Sequence, residues 1–277
     1  MDLPGVTPDV LSGLAREVSI RRAAAADYDA FTRLFPELGI DDPLPTASIW
    51  TAAFVPYTSV AIDRGEVVGY CYAQEYDDTG YVRHLVVAPS ARRQGFGRAL
   101  MQATAERLRA AGKTGWRLNV GATNAAAHGL YGALGLRRLY GSTAVRVPWG
   151  CLAALPEARA VVRDLPAARD AEIERLFALP RGQLGPARAM RRLILGALAD
   201  DGACVGLAVF SRAFPGAFPF RILDPGATKP LLEAMRPHVE AVPYVNLVID
   251  DDAPLVRLLK AAGAETRGEF SHFGGAL

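Results

Sequence analysis

The sequence has few of the residues that build metal sites or disulfide frameworks. Its 277 residues include three cysteines and four histidines, and neither type shows CxxC, HxxxH or HExxH spacing. These spacings are typical of zinc ribbons and metalloproteases, so we predict no metal site. Three widely separated cysteines also argue against a disulfide framework and favour a reducing, cytoplasmic compartment.

Long apolar runs and a charge imbalance are also absent. No apolar stretch approaches the roughly 20 residues that span a bilayer. The start of the chain, MDLPGVTPDV, lacks the basic residues and the apolar run of a signal peptide. The 31 basic and 29 acidic residues are interleaved and give a net charge of +2, so we expect neither nucleic acid nor a membrane as partner.

A repeated plan runs through the chain. Four segments of the first half resemble four segments of the second half in the same order: 17–36 with 159–178, 61–70 with 198–207, 84–89 with 221–225, and 124–136 with 252–264. The last pair consists of helical patterns that stop at Gly135 and Gly263. Because chance rarely orders four matches, we interpret the chain as a tandem duplication with domains at 1–150 and 151–277.

Hydrophobic alternation and helical periodicity predict a mixed α/β sheet in the first copy. The predicted strands lie near 17–22, 58–63, 67–76, 81–87 and 115–120, with a terminal pair near 136–149. The predicted helices lie near 26–35, 46–54, 94–111 and 124–134. An Asp-x-Gly turn after the second strand predicts a hairpin, which makes part of the sheet antiparallel.

The most informative segment is VVAPSARRQGFGRALM, residues 86–101, where a β-branched strand leads through two glycines into a long helix. Gly95 and Gly97 allow an anion to approach the backbone, and the helix N-terminus supplies N–H donors. The segment contains neither the GxxxxGK[ST] of a P-loop nor the GxGxxG of a dinucleotide fold. Alone, it fits a capped helix with solvated arginines as well as it fits a phosphate loop.

A second segment, LNVGATNAAAHGLYGALGL, decides between these interpretations. It holds the pattern N-x-x-A-x-x-x-Y-x-x-x-G at Asn124, Ala127, Tyr131 and Gly135. With the preceding Arg92-x-x-Gly-x-Gly, it resembles the two signatures of the GNAT superfamily of acyl-CoA N-acyltransferases. The resemblance covers roughly residues 17–149. It implies the mixed-sheet α/β GNAT fold, here duplicated in tandem, with acetyl-CoA as cofactor and CoA as product.

By this resemblance the cofactor lies between the fourth and fifth strands. The main chain of the fourth strand pairs with the pantetheine amides, and the glycine loop takes the pyrophosphate. The helix after the fifth strand contacts the pantetheine arm and the thioester. The residues implied in cofactor binding are Leu85, Val86, Val87, Arg92, Arg93, Gln94, Gly95, Phe96, Gly97, Arg98, Asn124 and Tyr131.

The resemblance also implies direct attack of a primary amine on the thioester in a ternary complex. Tyr131 matches the tyrosine that protonates the departing thiolate, a role that suits a phenol at neutral pH. As general base we predict Glu75, acting through a water from the end of the third strand; the alternative is an amine of low pKa that needs no dedicated base. The positions expected to face the acceptor are Tyr81, Arg83 and Asn119. Strand alternation predicts that His84 faces the opposite side of the sheet.

The charge of the acceptor stays open. Glu37, Asp41 and Asp42 follow the first helix, where GNAT relatives shape the acceptor pocket, and would attract a cationic amine. Arg83 would equally suit a carboxylate. We expect a small-molecule or peptide amine, acetylated by a monomer that forms a pseudo-dimer within one chain, or by a homodimer.

The second copy departs from both signatures. Its loop position reads DPGATKPLLEAM, residues 224–235, in which an acid and larger side chains would obstruct a pyrophosphate. The aligned departures are Leu231 and Glu233 for the two glycines, Asp252 for Asn124 and Leu259 for Tyr131. We therefore expect residues 151–277 to keep a GNAT-like shape without CoA chemistry.

Together these features predict an N-acetyltransferase that moves an acyl group from acetyl-CoA, or another short acyl-CoA, to a primary amine. One alternative is a non-catalytic CoA-binding regulatory module, which the lack of an obvious base would suit. Another is an interaction protein that uses the fold only as a scaffold, against which the intact Gly95, Gly97 and Tyr131 argue.

Overall fold

The computed structural model describes residues 18–40, 43–157, 160–212, 214–239 and 242–277. Positions 17 and 159, where the first pair of matched segments begins, lie outside these ranges. The described strands are β1 Ser19–Arg22, β2 Thr58–Asp63, β3 Glu66–Glu75, β4 Thr79–Val87, β5 Gly115–Gly121, β6 Arg137–Pro148, β7 Val161–Asp164, β8 Leu193–Leu198, β9 Cys204–Ser211, β10 Gly216–Ile222, β11 Tyr244–Asp250 and β12 Glu265–Ala276. The described α-helices are α1 Tyr28–Leu34, α2 Ala47–Ile49, α3 Phe96–Ala110, α4 Ala125–Ala133, α5 Asp170–Leu176, α6 Leu184–Ala189, α7 Thr228–Met235 and α8 Ala253–Ala261. A π-helical turn at Trp50–Phe54 continues α2.

The first copy follows the predicted order of strands and helices, and their bounds agree to within a few residues. β3 is buried over most of its length because helices cover both faces of the sheet. The predicted terminal pair of strands near 136–149 is wrong, since one long strand, β6, occupies this segment. β6 continues without a turn because it has strand partners on both sides, and both come from the second half.

All the described strands belong to one sheet, in the order β1-β2-β3-β4-β5-β12-β6-β11-β10-β9-β8-β7. The two halves exchange their last strands: β12 lies between β5 and β6, and β6 pairs with β11. β6 and β12 run antiparallel with Ser142 opposite Phe270. These two residues are 128 positions apart, the same interval that separates Gly135 from Gly263. A pseudo-two-fold axis therefore passes between them.

The exchanged strands also exchange core residues. Phe273 of β12 is 6% exposed and packs in the core of the first half. Val145 and Val147 of β6 are fully buried in the core of the second half. Full burial of each such side chain stabilises the folded state by about 1.5–3 kcal/mol. Each half therefore depends on the other for part of its apolar core.

Helices cover the two faces of the first-half sheet differently. α1 packs on one face, against β3 around Tyr70. α3 packs tightly on the other face, where a Cβ on Gly80 of β4 would lie 2.3 Å from Leu108. α4 lies beside α3, since Leu130 is close to Gly97. We call these two sides the α1 face and the α3 face.

Local geometry confirms the duplication. β1 and β7 have the same burial pattern. The turns that follow β2 and β8 each contain a left-handed glycine with φ of 85°, Gly65 and Gly202. Asn124 and Asp252 each accept a hydrogen bond from the backbone N–H three residues further on, and so cap α4 and α8 in the same way.

Removal of β12 should destabilise both halves. A chain that ends at Ala264 leaves β5 and β6 with open edges and withdraws Phe273 from the first core. We expect the free energy of unfolding to fall by at least about 3–5 kcal/mol, the usual cost of losing one buried phenylalanine. Open edges also promote self-association. Denaturant unfolding and size-exclusion chromatography measure both effects, and an unchanged unfolding midpoint would show that each half is stable without exchange.

Candidate functional site

β4 and β5 separate part-way along their length. Their parallel pairing begins at Thr79 with Gly115 and ends at Val82 with Leu118. Beyond this point, residues 85–87 pair only with β3, so the other edge of their main chain lines an open cleft. An extended edge of this kind accepts an added strand or an amide-bearing chain.

A β-bulge on β4 coincides with the separation. Tyr72 of β3 lies opposite His84, but the next residue of β3 lies opposite Val82, so Arg83 is the extra residue. Both neighbours therefore face the same side, where His84 contacts Tyr72 and Arg83 contacts Gln74. The prediction that His84 faces the opposite side is wrong, because strand alternation fails at a bulge.

The glycine loop lies between a 3-10 turn at Pro89–Ala91 and α3, which begins at Phe96. Arg93 and Gly95 have left-handed φ values of 63° and 88°. Left-handed residues before a helix expose several main-chain N–H groups together, and the helix dipole adds partial positive charge. The loop therefore has the main-chain geometry of an anion site.

Arg92 is held at the junction of the loop and the cleft. Its Nε donates to the carbonyl oxygen of Val87 at 3.0 Å, and its Nη2 donates to Glu37 at 2.6 Å. Glu37, which the sequence suggested as an attractor for the acceptor, is therefore paired with the loop arginine. Asp41 and Asp42, suggested for the same role, lie outside the described residues.

The remaining residues of the loop differ in exposure. Arg93 and Arg98 are exposed at either side of the glycines. Gln94 is also exposed, and its side-chain amide donates to the carbonyl oxygen of Ser90 at 2.8 Å. Phe96 is 1% exposed and belongs to the core, so only its main chain is available to a ligand.

α4 brings Asn124 and Tyr131 to the α3 face. Asn124 caps the helix through Oδ1, which accepts from the N–H of Ala127 at 3.1 Å. Tyr131 is 6% exposed and packs against Phe273, with ring centroids 5.8 Å apart. Burial, together with the nearby Cys71 thiol, raises the pKa of Tyr131 well above its ordinary value. The phenol is therefore protonated throughout the neutral range, as a proton donor must be.

Glu75 does not lie where a base for the acceptor is needed. Its carboxylate forms an ion pair with Arg107 of α3, so it faces the α3 side of the sheet. Its neighbour Gln74 faces the other side and contacts Arg83. Because side chains alternate along β3, Glu75 and Arg83 lie on opposite faces. This arrangement contradicts the prediction that Glu75 serves as the general base.

The three residues predicted to face the acceptor share the α1 face. Tyr81 of β4 lies beside Arg117 of β5, and Asn119 follows two residues later on the same face. The guanidinium of Arg83 lies over the ring of Tyr81, 4.1 Å from its centroid. The polar side chains therefore border the point where β4 and β5 separate.

Two residues at this site come from β12 and were not found from the sequence. His272 lies on the α1 face, with one ring nitrogen 3.4 Å from the Tyr81 hydroxyl and the other 2.8 Å from Oγ of Ser142. Burial lowers the pKa of His272, although nearby Asp250 acts in the other direction. Phe273, the next residue, faces the α3 side. No local pattern marks these residues, because only the strand exchange brings them to the site.

Comparison with known proteins agrees with this geometry. Residues 25–136 match the model of the acetyltransferase (GNAT) family, and this segment contains the cleft, the glycine loop and α4. These residues form a GNAT domain. Members of this family take the acetyl group from acetyl-CoA. No curated protein matches the chain significantly.

Solved structures extend the likeness over both halves. A putative acetyltransferase from Pyrococcus horikoshii has a TM-score of 0.69 at 16% identity, covering 94% of this chain and 89% of its own. A GCN5-related N-acetyltransferase from Sphaerobacter thermophilus has a TM-score of 0.65 at 18% identity, with coverages of 94% and 95%. A tandem GNAT protein from the clavulanic acid biosynthesis pathway has 0.61 at 20% identity, with coverages of 94% and 98%. These likenesses show a tandem GNAT fold.

The second half differs from the GNAT domain at the glycine loop. Its 3-10 turn at Pro225–Ala227 runs directly into α7 at Thr228. In the GNAT domain the four residues 92–95 separate the same turn from α3. The segment that would surround a pyrophosphate is therefore absent from this half.

Packing identifies which residues correspond between the two helices. A Cβ on Gly206 of β9 would meet Leu231 at 2.8 Å, as a Cβ on Gly69 of β3 would meet Leu100 at 3.3 Å. Leu231 therefore corresponds to Leu100. The sequence alignment of Leu231 and Glu233 with the two loop glycines is wrong, because it did not allow for the shortened loop.

The corresponding strands of the second half also separate, but side chains bridge them. β10 and β11 pair only at Gly216 with Asn246 and at Ala217 with Leu247. Further along, Arg221 of β10 and Asp250 of β11 form an ion pair. Both differences from the GNAT domain, the short loop and the bridged strands, affect the region where that domain has its open cleft.

Within the described ranges, no helix is long and apolar enough to cross a membrane. The same residues contain no group of histidine, cysteine and acidic side chains that could hold a metal ion. The three cysteines are free and buried.

His84 should make the stability of the protein depend on pH. Its ring lies among Tyr72, Phe54 and Phe35, and burial, with a smaller effect of Arg83, lowers its pKa from 6.5 to about 4. Between these values the unfolded chain binds more protons, so the stability contributed by neutral His84 is lost as the pH falls from 6.5 to 4. We expect a contribution of about 2 kcal/mol, below the full value for this shift because the ring is partly exposed.

Denaturant unfolding at several pH values, on the natural protein and on His84→Phe, measures this contribution. The phenylalanine keeps an aromatic ring in the cluster but does not titrate. The natural protein should lose more stability than the variant between pH 6.5 and 4. Equal losses would show that protonation of His84 does not oppose folding.

Proposed function

We propose that the GNAT domain is an N-acetyltransferase that moves an acetyl group, or another short acyl group, from acyl-CoA to a primary amine. The observation that carries the proposal is the separation of β4 and β5 beside a glycine loop at the start of a 15-residue helix. An unpaired strand edge and an anion site at one cleft suit a molecule that combines amides with a diphosphate, as CoA does. The matched family supports the same cofactor.

In this proposal the main chain of residues 85–87 pairs with the pantetheine amides. The N–H groups of the loop and of the first turn of α3 bind the pyrophosphate, helped by Arg92, Arg93 and Arg98. The free amide nitrogen of Asn124 contacts the pantetheine arm. Val86 and Phe96 contribute only main-chain contacts, because their side chains are buried in the core.

The acceptor approaches from the α1 face, past Tyr81, Arg83 and Asn119. The nitrogen of the neutral amine attacks the thioester carbonyl carbon, and the bond between that carbon and sulfur breaks. Tyr131 gives its proton to the departing thiolate, and the proton released by the amine nitrogen restores the phenol through solvent. The products are an amide and CoA, and no covalent enzyme intermediate forms.

The second half is proposed to have no CoA chemistry of its own. Its short loop and the Arg221–Asp250 pair support this view. The functional division is then a catalytic domain at 1–150 and a degenerate domain at 151–277. The catalytic centre nevertheless includes His272 and Phe273 of the degenerate domain.

Gly97→Glu should abolish acetyl-CoA binding by the whole chain. The new carboxylate would stand in the first turn of α3, against the pyrophosphate, and the second half has no loop to replace this one. We expect the dissociation constant measured by calorimetry to rise at least about 100-fold, since an unpaired like charge costs several kcal/mol.

Gly185→Glu provides the matched control. It adds the same charge in the first turn of α6, at an exposed position where nothing lies within 4 Å of a new Cβ. This variant should bind acetyl-CoA as the natural protein does. Undiminished binding by Gly97→Glu would locate the cofactor elsewhere and remove the basis of the proposal.

Tyr131→Phe should reduce turnover far more than cofactor affinity. The hydroxyl matters when the thiolate leaves, whereas the buried ring keeps its contact with Phe273 in the variant. Loss of a proton donor typically lowers kcat about 100-fold to 10,000-fold. Thiol release from acetyl-CoA with an amine acceptor measures kcat, and calorimetry measures affinity.

Tyr244→Phe, in β11 of the second half, removes a hydroxyl outside this site and should leave kcat unchanged. If Tyr131→Phe turned over as fast as the control, Tyr131 would not be the acid. Tight acetyl-CoA binding without thiol release for any amine would favour the alternative of a CoA-binding regulatory module.

A further inference from the structure

We infer that the acceptor amine carries a carboxylate, which Arg83 binds. This inference rests on the proposed function, because it names the acceptor class of the same site. It depends on three features of Arg83: the guanidinium is fixed, it has no acidic partner, and it lies where β4 and β5 separate.

Three contacts fix the guanidinium of Arg83. Its Nε donates to Oε1 of Gln74 at 2.7 Å, and its Nη2 donates to the hydroxyl of Tyr76 at 2.6 Å. Its Cζ lies over the ring of Tyr81, 4.1 Å from the ring centroid. A guanidinium has five N–H donors, so these contacts leave donors for a ligand while they remove most of the freedom of the side chain.

Arg83 has no carboxylate partner among the residues that the structure describes. Several other arginines of the two halves do have one: Arg21 with Asp27, Arg92 with Glu37, Arg107 with Glu75, Arg188 with Asp170, and Arg221 with Asp250. The groups bonded to Arg83 are a neutral amide and a neutral phenol. A fixed cation without a counter-charge is prepared to pair with an anionic group of a ligand, since little ordering remains to be done on binding.

The surrounding charges favour the same acceptor. Arg117 lies beside Tyr81 on β5 and also has no acidic partner in the described part of the chain. The strand carboxylate of Asp250 is paired with Arg221 and lies 3.9 Å from Nε2 of His272. Asp77 and Asp78 lie in the turn between β3 and β4, where Asp77 is 4.0 Å from Arg181 and Asp78 accepts from Thr79. Within the described ranges, the residues around Arg83 therefore carry more unpaired positive than negative charge, which disfavours polyamines.

The positive charge of Arg83 and Arg117 also affects how the acceptor amine loses its proton at a site without a general base. A positive field lowers the pKa of an amine because it disfavours the ammonium form. An acceptor whose carboxylate binds Arg83 would hold its amine in that field, and a larger share of the amine would be neutral and able to attack. The site then needs no carboxylate base, in agreement with the position of Glu75 on the other face.

The test compares L-amino acids with the corresponding L-amino acid amides as acceptors, with acetyl-CoA as donor. The amides lack the carboxylate, and because their amines are less basic, kcat/KM is calculated on the concentration of neutral amine. We expect at least one amino acid to be acetylated with a kcat/KM about 100-fold above that of its amide. A difference of this size is typical of losing one partner of a fixed charge pair. In Arg83→Gln this preference should disappear, through loss of activity on the acid and not through gain on the amide.

Arg146→Gln is the matched control. Arg146 has the same kind of contacts: its Nε donates to Oδ1 of Asn246 at 3.2 Å, and its Cζ lies 4.0 Å from the ring centroid of Tyr244. Arg146 lies on β6, in the part of the sheet that packs on the core of the second half and not at the cleft between β4 and β5. The preference of the enzyme for amino acids over their amides should therefore remain in Arg146→Gln. Acetyl-CoA affinity, measured by calorimetry, should be unchanged in both variants and shows that they are folded.

The outcomes separate this inference from the proposed function. Acetylation of amides or polyamines as fast as amino acids, or an unchanged preference in Arg83→Gln, would overturn the inference and leave the acetyltransferase standing. If acetyl-CoA binds but no acceptor is turned over, amino acids are titrated into the CoA complex of the natural protein and of Arg83→Gln. The inference is overturned if the natural protein binds no amino acid more tightly than Arg83→Gln does. Failure to bind acetyl-CoA overturns the proposed function and the inference together.

Discussion

The pairing of β12 between β5 and β6 is the constraint on which the rest of the structure depends. It joins the two halves through main-chain hydrogen bonds instead of a linker, and it gives each core side chains from the other half. It also carries Phe273 to Tyr131 and His272 to Tyr81. The second half can therefore lose its own anion loop and still be required, because its last strand completes the sheet of the GNAT domain.

The cleft begins beside one extra residue in β4. A bulge bends its strand, and the bulge at Arg83 directly follows the last pair of β4 with β5. Main-chain donors and acceptors that a continuous sheet would satisfy are left for a ligand. Four loop residues before α3 then add the main-chain geometry that suits an anion. The second half keeps the strand separation but lacks these four residues, so the same fold has an open cleft in one copy and a bridged one in the other.

Ion pairs decide which charged side chains are available to a ligand. Arg107 holds Glu75 on the α3 face, Arg92 holds Glu37 beside the loop, and Arg221 holds Asp250 between β10 and β11. Among the residues that the structure describes, these three carboxylates are thereby neutralised by an arginine. Arg83, fixed by neutral partners, keeps its charge for a ligand.

The sequence alone determined the features that depend on local pattern: the order of strands and helices, the duplication, and the glycine loop with Asn124 and Tyr131. The hydrophobic periodicity of strands and helices, helix-capping residues and turn glycines each act within a few residues, so they can be recognised in the sequence without knowledge of the fold. Only the tertiary structure decided the single strand β6, the direction of His84 and the partner of Glu75. It alone also brought His272 and Phe273 to the site. A bulge, an ion pair between β3 and α3, and a strand exchange across 128 positions depend on contacts between distant segments, which no local pattern encodes.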